Sequence, residues 1–284
     1  LDNRVRSSLD DKILTSWNAL LLRGFCDAAR FTSNEKYALL AIQLAEYLEA
    51  HAIQENKIRR RLHETTFYPG YLDDYASLAD AFLATYWLTG NEHWLLRSME
   101  ISTWCLNDFF DPVSGFFFYT PGYAEKLPNR LKELSDNVIP ASNSVMANLL
   151  YDLGNYWANI HWIDISKQML QRILNGAANQ WPYHANWAFL LGKITQGYFE
   201  VVISGRESTR TFASFCNRYQ PNALPGLVST SHTEIPSLKN RFSEERESVF
   251  YICQGEQCSL PLFSEEDTIL HIKNLQQQLH KNHE

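Results

Sequence analysis

A short loop signature recurs in this chain, and it constrains the fold more than any other feature. Thr32-Ser-Asn-Glu-Lys-Tyr37 and Thr89-Gly-Asn-Glu-His-Trp94 stand about 57 residues apart. Each separates two apolar stretches with helical spacing. Leu14, Trp17, Leu21 and Phe25 precede the first copy at intervals of three and four, and Tyr37, Leu40, Ala41, Leu44, Ala45 and Leu48 follow it. Tyr75, Leu78, Ala79, Phe82, Leu83 and Tyr86 lead into the second copy. Such intervals put the apolar residues on one helix face. A weaker third copy runs from Gly154-Asn155 to His161-Trp162. Thin solenoids repeat every ~34 to ~47 residues. The longer period fits the large helical hairpins of an α/α toroid. Further helices are expected at about 92–110, 141–157, 161–175 and 185–196, giving seven in the first two-thirds of the chain.

Between the fourth and fifth helices, Gly115-Phe-Phe-Phe-Tyr-Thr120 is aromatic and bounded by turn residues. It reads as a strand of a short hairpin whose return strand leads into Arg130. After Gly197 the pattern changes. Phe199–Ser204, Leu224–Thr230 and Ser248–Cys253 read as strands, Thr209–Tyr219 as a helix, and about 265–281 as a polar final helix. The expected division is a helical part over 1–197 and a small α/β unit over 198–284.

The chain is mildly acidic, with Lys+Arg 25 against Asp+Glu 32. The one basic cluster, Lys57-Ile-Arg-Arg-Arg61, reads as a solvated turn, so nucleic acid is not an expected partner. No apolar run reaches the ~18 residues of a membrane span. With no secretory leader and no initiator Met, the chain is expected to be cytoplasmic and part of a longer protein. Five cysteines, an odd count in a chain of 284 residues, argue against a secreted disulfide scaffold. Cys253 and Cys258 form one C-x4-C spacing, too little for a zinc site without further ligands, and read as two thiols at a strand end. No metal or cofactor is expected.

Charge and polar side chains crowd the entrances of alternate helices. Leu9-Asp-Asp-Lys12 is expected to open helix one, and Leu72-Asp-Asp-Tyr75 helix three. Arg130-Leu-Lys-Glu-Leu-Ser-Asp136 and Ile139-Pro-Ala-Ser-Asn-Ser144 precede helix five. In a ring of hairpins these ends gather on one face. One Asp of each pair is explained as a helix cap; the second is available for chemistry. Alternation puts Arg130 and Lys132 on one side of an extended segment, where two cations bind carboxylate, phosphate or sugar hydroxyls. Asp73, Asp74, Glu133 and Asp136 are the candidate acid–base residues, because glycoside hydrolysis needs two carboxyls about 5 to 9.5 Å apart. Asn18, Tyr75, Asn143 and Ser144 join Arg130 and Lys132 as candidate binding residues. Caps and salt bridges are the competing reading of the same positions.

These motifs closely resemble the C-terminal part of thioredoxin-domain-containing proteins related to spermatogenesis-associated protein 20. The matching runs are Asp10-Asp-Lys-Ile-Leu-Thr-Ser-Trp-Asn18, Leu72-Asp-Asp-Tyr-Ala76, Gly115-Phe-Phe, Arg130-Leu-Lys-Glu133, Asp136 and Pro140-Ala-Ser-Asn-Ser144. Tyr219-Gln-Pro-Asn222 and Phe250-Tyr-Ile-Cys253 through Cys258 complete the set. The resemblance implies a mainly α fold: a partial (α/α)6 toroid of the six-hairpin glycosidase type, similar to N-acylglucosamine 2-epimerase. The small C-terminal α/β appendage stands beside it. It also implies a thioredoxin-like domain that this chain is not expected to include.

The expected function is a carbohydrate-binding or carbohydrate-processing domain, glycosidase-like or epimerase-like, using carboxylate acid–base chemistry. The expected partner is a small sugar or an anion, with no membrane, and self-association is expected where an incomplete toroid exposes apolar edges. The alternative is a non-catalytic helical scaffold that positions a thioredoxin-like domain or a protein partner. The two differ in their carboxylates, which an enzyme leaves unpaired and a scaffold pairs with Arg or Lys.

Overall fold

The computed structural model describes residues 10–124, 128–177, 181–255 and 257–281. Seven helices come first: α1 (Thr15–Thr32), α2 (Glu35–Ala52), α3 (Leu72–Thr89), α4 (Glu92–Asp108), α5 (Ser142–Tyr156), α6 (Ile160–Ala177) and α7 (Ala185–Thr195). The recurring loop explains itself as a helix stop and start. Ser33 and Gly90 adopt left-handed backbone at φ 52° and 68°, ending α1 and α3. The side chains of Asn34 and Asn91 then accept the amides of Lys36 and His93 at 3.0 and 3.1 Å, starting α2 and α4. Glu35 and Glu92 follow in the first turn, where the positive end of the helix dipole favours them. In the third copy Asn159 accepts the amide of Trp162 at 3.2 Å.

Odd-numbered helices pack on one another in an inner row, α1 on α3, α3 on α5 and α5 on α7. Outside them, α2 packs on α1, α4 on α3 and α6 on α5. This is an arc of hairpins, a partial α/α toroid and mainly α. Position in the arc sets burial. Helix α3 has neighbours on both sides and buries Tyr75, Phe82 and Tyr86 fully. At the end of the row, α1 leaves Trp17 67%, Leu21 49% and Phe31 50% exposed.

Two short hairpins decorate the arc. The first, β1 (Ile53–Gln54) with β2 (Lys57–Ile58), falls in the stretch read as a solvated turn. In the second, β3 (Phe110–Asp111) pairs with β4 (Phe116–Phe117). The expected strand therefore pairs upstream through Phe116 and Phe117, while Tyr119 near its end donates its amide to the Leu131 carbonyl at 2.7 Å. Part of the expected return strand, 125–127, lies outside the described residues. Asp10 and Asp11 also differ from expectation. Helix α1 starts only at Thr15, and both are exposed outside it, Asp10 pairing with Lys12 at 2.8 Å.

The C-terminal strands β5 (Phe199–Ser204), β6 (Ala223–Leu227), β7 (Val249–Gln254) and β8 (Gln257–Cys258) form one mixed sheet in the order β6-β5-β7-β8. Helix α8 (Ser208–Cys216) makes the crossover between the parallel pair β5 and β6, and α9 (Glu265–Lys281) packs on β7. This unit closes over the C-terminal ends of the inner helices. The Tyr86 hydroxyl accepts the Leu227 amide at 3.0 Å, Tyr156 donates to the Pro225 carbonyl, and Arg30 donates to the Cys216 carbonyl at 2.8 and 3.0 Å. A Cβ at Gly90 would meet the Leu227 side chain at 2.4 Å and force it to shift, and the φ of 68° itself favours glycine in the turn after α3. Helices and sheet share one hydrophobic core. Among the described residues, no helix is long and apolar enough to cross a membrane.

Candidate functional site

Polar groups concentrate in two places: at the N-terminal ends of the inner helices, and in a cavity further along them.

The entrance residues are bound to the protein itself. Asp74 is fully buried and accepts the Ser16 amide, the Tyr71 amide and Arg60 Nη1, each at 2.9 Å. It ties the start of α1 to the start of α3. Burial and then the neighbouring Asp73 push the Asp74 carboxyl upward, while Arg60 and the two amides oppose them. For Arg60, burial works against the charge, but Asp74 and Asp73 outweigh it and push the guanidinium pKa up. Asp73 shares Arg60 at 3.2 Å. Tyr75 is fully buried, its hydroxyl accepting the Ile58 amide and meeting Tyr123 at 2.9 Å. Asn18 donates back to Leu14 within its own helix.

Around α5 the same holds. Its first turn has no cap from the residue before it; the carboxylates upstream serve instead. Glu133 accepts the amide and hydroxyl of Ser142 at 3.0 and 2.8 Å. Asp136 accepts the amides of Ala141 at 2.9 Å and of Asn186 at 3.0 Å, joining the starts of α5 and α7. Asn143 bonds both the amide and the carbonyl of Phe117, and Ser144 donates to the Ala141 carbonyl. Arg130 donates to the Thr120 carbonyl and lies over Phe118 at 4.0 Å. Lys132 lies over the same ring at 4.2 Å and binds Asp111 at 2.8 Å. Hydrogen bonds from Lys132 and then Ser114 hold the Asp111 carboxyl well below the usual range.

The cavity has a volume of about 470 Å³, within the ~300–1,000 Å³ range of small-ligand sites. None of the ten candidate residues named from the sequence lines it. Each inner helix contributes side chains at steps of three, four or seven: Leu20, Arg23, Asp27 and Arg30 from α1, Ser77, Asp80 and Trp87 from α3, Val145, Asn148 and Asp152 from α5, Asn186, Phe189 and Lys193 from α7. The C-terminal unit closes it with Tyr198, Tyr219 and neighbours.

Each cavity carboxylate meets a cation. Arg23 forks both oxygens of Asp80 at 2.8 Å and reaches Asp27 at 3.0 Å. Burial opposes the Arg23 charge, but Asp80 and Asp27 outweigh it and push its pKa up. Asp152 takes Lys193 at 2.7 and 2.8 Å and the Tyr198 hydroxyl at 2.8 Å. Arg23 and Arg30 both sit 5.7 Å from the centre of the Trp87 ring. Asn148 donates to the carbonyls of Ser144 and Asn186, and its buried Oδ1 meets no donor among the described residues. Phe31, Phe189 at 45% and Tyr219 at 74% expose aromatic surface at the rim.

A signal for these residues is present in the sequence. Asp80, Asp152 and Lys193 are isolated charges inside otherwise apolar helices, at positions where burial without a partner is costly. Among the described residues no group of three or more His, Cys, Asp or Glu could hold a metal.

No family model matches the chain. It is 24% identical over 281 residues to spermatogenesis-associated protein 20 of Mus musculus, covering 92% of this chain and 36% of that one. The Homo sapiens protein of the same name is 22% identical over the same share. The chain thus spans about a third of the length of the curated relatives it matches. A solved GH76 alpha-mannanase from Bacteroides thetaiotaomicron superimposes with a TM-score of 0.53 at 12% identity, over 80% of this chain and 66% of that one. At such identity the likeness shows the fold alone.

Proposed function

For a homologue of spermatogenesis-associated protein 20 built as a partial α/α toroid of glycosidase-like fold, we propose that the inner-helix cavity binds a polyhydroxylated, sugar-like ligand. One observation supports this most: exposed aromatic surface and charged groups in fixed geometry line the same cavity. The C–H faces of a sugar ring are apolar and pack on aromatic carbon, while its hydroxyls donate and accept at the rim. Phe31, Phe189 and Tyr219 offer the first. Asp80 and Asp27 are partly exposed and offer acceptors whose positions Arg23 already holds.

The pairing of every cavity carboxylate with a cation favours recognition over turnover. A general acid gains its function by being kept neutral next to the substrate, and an adjacent cation works against that. Among the entrance residues, Asp74 and Asp136 act here as anchors that tie the starts of neighbouring inner helices together.

Titration calorimetry and ligand-observed NMR with mono- and oligosaccharides test the reading. Mannose-containing ones belong in the panel, since the fold neighbour is an alpha-mannanase. A sugar is expected to bind, and Asp80→Asn and Asp27→Asn each weaken it by about ten-fold, one lost hydrogen bond to a charged group. No binding at millimolar concentration, or binding indifferent to both substitutions, overturns it. Turnover of the bound sugar, abolished by Glu133→Gln or Asp73→Asn, would return the chemistry to the helix entrances.

A further inference from the structure

Outside the cavity lining, the sheet edge carries an arrangement that sugar binding does not use. Cys253 on β7 and Cys258 on β8 stand opposite each other in the antiparallel register and are joined as a disulfide. The sequence reading left them as two thiols. They stand five positions apart, so the closed loop is short and the bond removes little chain entropy from the unfolded state. Stability alone is a weak reason for it.

Its surroundings are asymmetric. Cys253 is buried, whereas Cys258 is exposed on the edge strand. Arg241 points Nη2 at both sulfurs, 3.1 Å from Cys253 and 3.7 Å from Cys258. A disulfide sulfur is a poor acceptor for a guanidinium. The other terminal nitrogen, Nη1, is buried and finds no acceptor among the described residues. Glu200 sits across the ladder from Cys253 and attracts Arg241, but no hydrogen bond joins them among the described residues. The cation is therefore under-compensated while the bond is closed. A thiolate at Cys253 would supply the missing charge, and a neighbouring Arg lowers a cysteine pKa.

We propose that Cys253–Cys258 is a thiol–disulfide exchange site, attacked at Cys258 and releasing Cys253 as a thiolate held by Arg241. The reductant is a dithiol. Its first thiolate bonds to Cys258 Sγ, the Cys253–Cys258 bond breaks, and the electron pair stays on Cys253. The second thiolate then attacks its own partner sulfur in the mixed disulfide. That step forms the reductant's disulfide and leaves the pair on Cys258, which takes a proton from water. Two electrons pass to the protein, and the dithiol is oxidised.

Two measurements on the full chain test this. Brief exposure to glutathione followed by alkylation and peptide mapping reads the site of first attack. Glutathione is expected on Cys258; adducts mainly on Cys253, or none without denaturant, overturn the proposal. Dithiothreitol reduction rates read the leaving group. Arg241→Gln is expected to slow reduction about ten-fold, and Arg241→Lys to recover most of it, as leaving-group basicity dictates. Equal rates in all three proteins overturn the role of Arg241. The mapping uses the unaltered chain, so it stands even if Arg241→Gln folds poorly.

Discussion

The helix entrances and the cavity are both rich in carboxylates, but they use them differently. At the entrances, Asp74, Glu133 and Asp136 accept backbone amides: Ser16 and Tyr71, Ser142, and Ala141 with Asn186. Those donors are fixed by the chain and leave the carboxylates little capacity for a ligand. In the cavity, Asp80 and Asp27 meet the Arg23 guanidinium and stay partly exposed. A dense acidic motif thus marks the places where helices are tied together, and scattered single charges mark the cavity. The lesson is physical. An inner helix of an arc has orphan amides at its start that need acceptors, so each short acidic motif stands at or shortly before a helix start.

The sharpest test of this contrast is Asp74→Ala. It strands partly buried Arg60 and two amides, and should cost about 3 kcal/mol in urea unfolding. A loss below about 1 kcal/mol would mean that the entrance is not the anchor described. Glu200 gives the next test, because it is a part-buried carboxyl with no amide donor among the described residues. Burial pushes it up to about 7, with Arg241 opposing. Its folded pKa lies above the unfolded one, so the unfolded chain loses its proton first. Stability therefore falls between about pH 4.5 and pH 7 and then levels. Glu200→Gln should remove that decline and gain on the order of 2 kcal/mol at pH 8 relative to pH 4. Asp74 titrates in the same direction, so the difference between the two proteins is what reports on Glu200.

A smaller effect is expected for Asp136→Asn, which turns one acceptor into a donor facing an amide. It should destabilise by about 1–2 kcal/mol, while sugar affinity stays within about two-fold if the cavity reading holds. The least change belongs to Trp17→Ser on the free face of α1, under about 0.5 kcal/mol in unfolding. That substitution should nevertheless reduce any self-association seen by light scattering, since Trp17 and Leu21 form the exposed edge of the inner row. Association unchanged by it would place the contact elsewhere.

Much of the fold was legible because it is written in local rules. Left-handed Ser33 and Gly90 followed by capping Asn34 and Asn91 make the loop repeat a direct record of helix ends. The apolar intervals give the helix faces, and the buried run Phe199–Ser204 gives the central strand of the sheet. Two of the repeated entrances meet as implied, since Asp74 bridges α1 to α3, while Asp136 bridges α5 to α7, whose entrance the repeat did not include.

Tertiary structure decided the rest. Sequence spacing cannot tell whether a carboxylate faces an amide of another helix or an empty volume, because those partners lie 58 and 50 residues away. Nor can it show that Asp80 and Arg23, which are 57 residues apart, form a fork, or that Arg241 stands over a bond between Cys253 and Cys258. Periodicity and capping are properties of neighbours in the chain, so the residues alone determine them. Charge pairing and cavity shape depend on which helix faces which, and only packing of the arc against its sheet sets that.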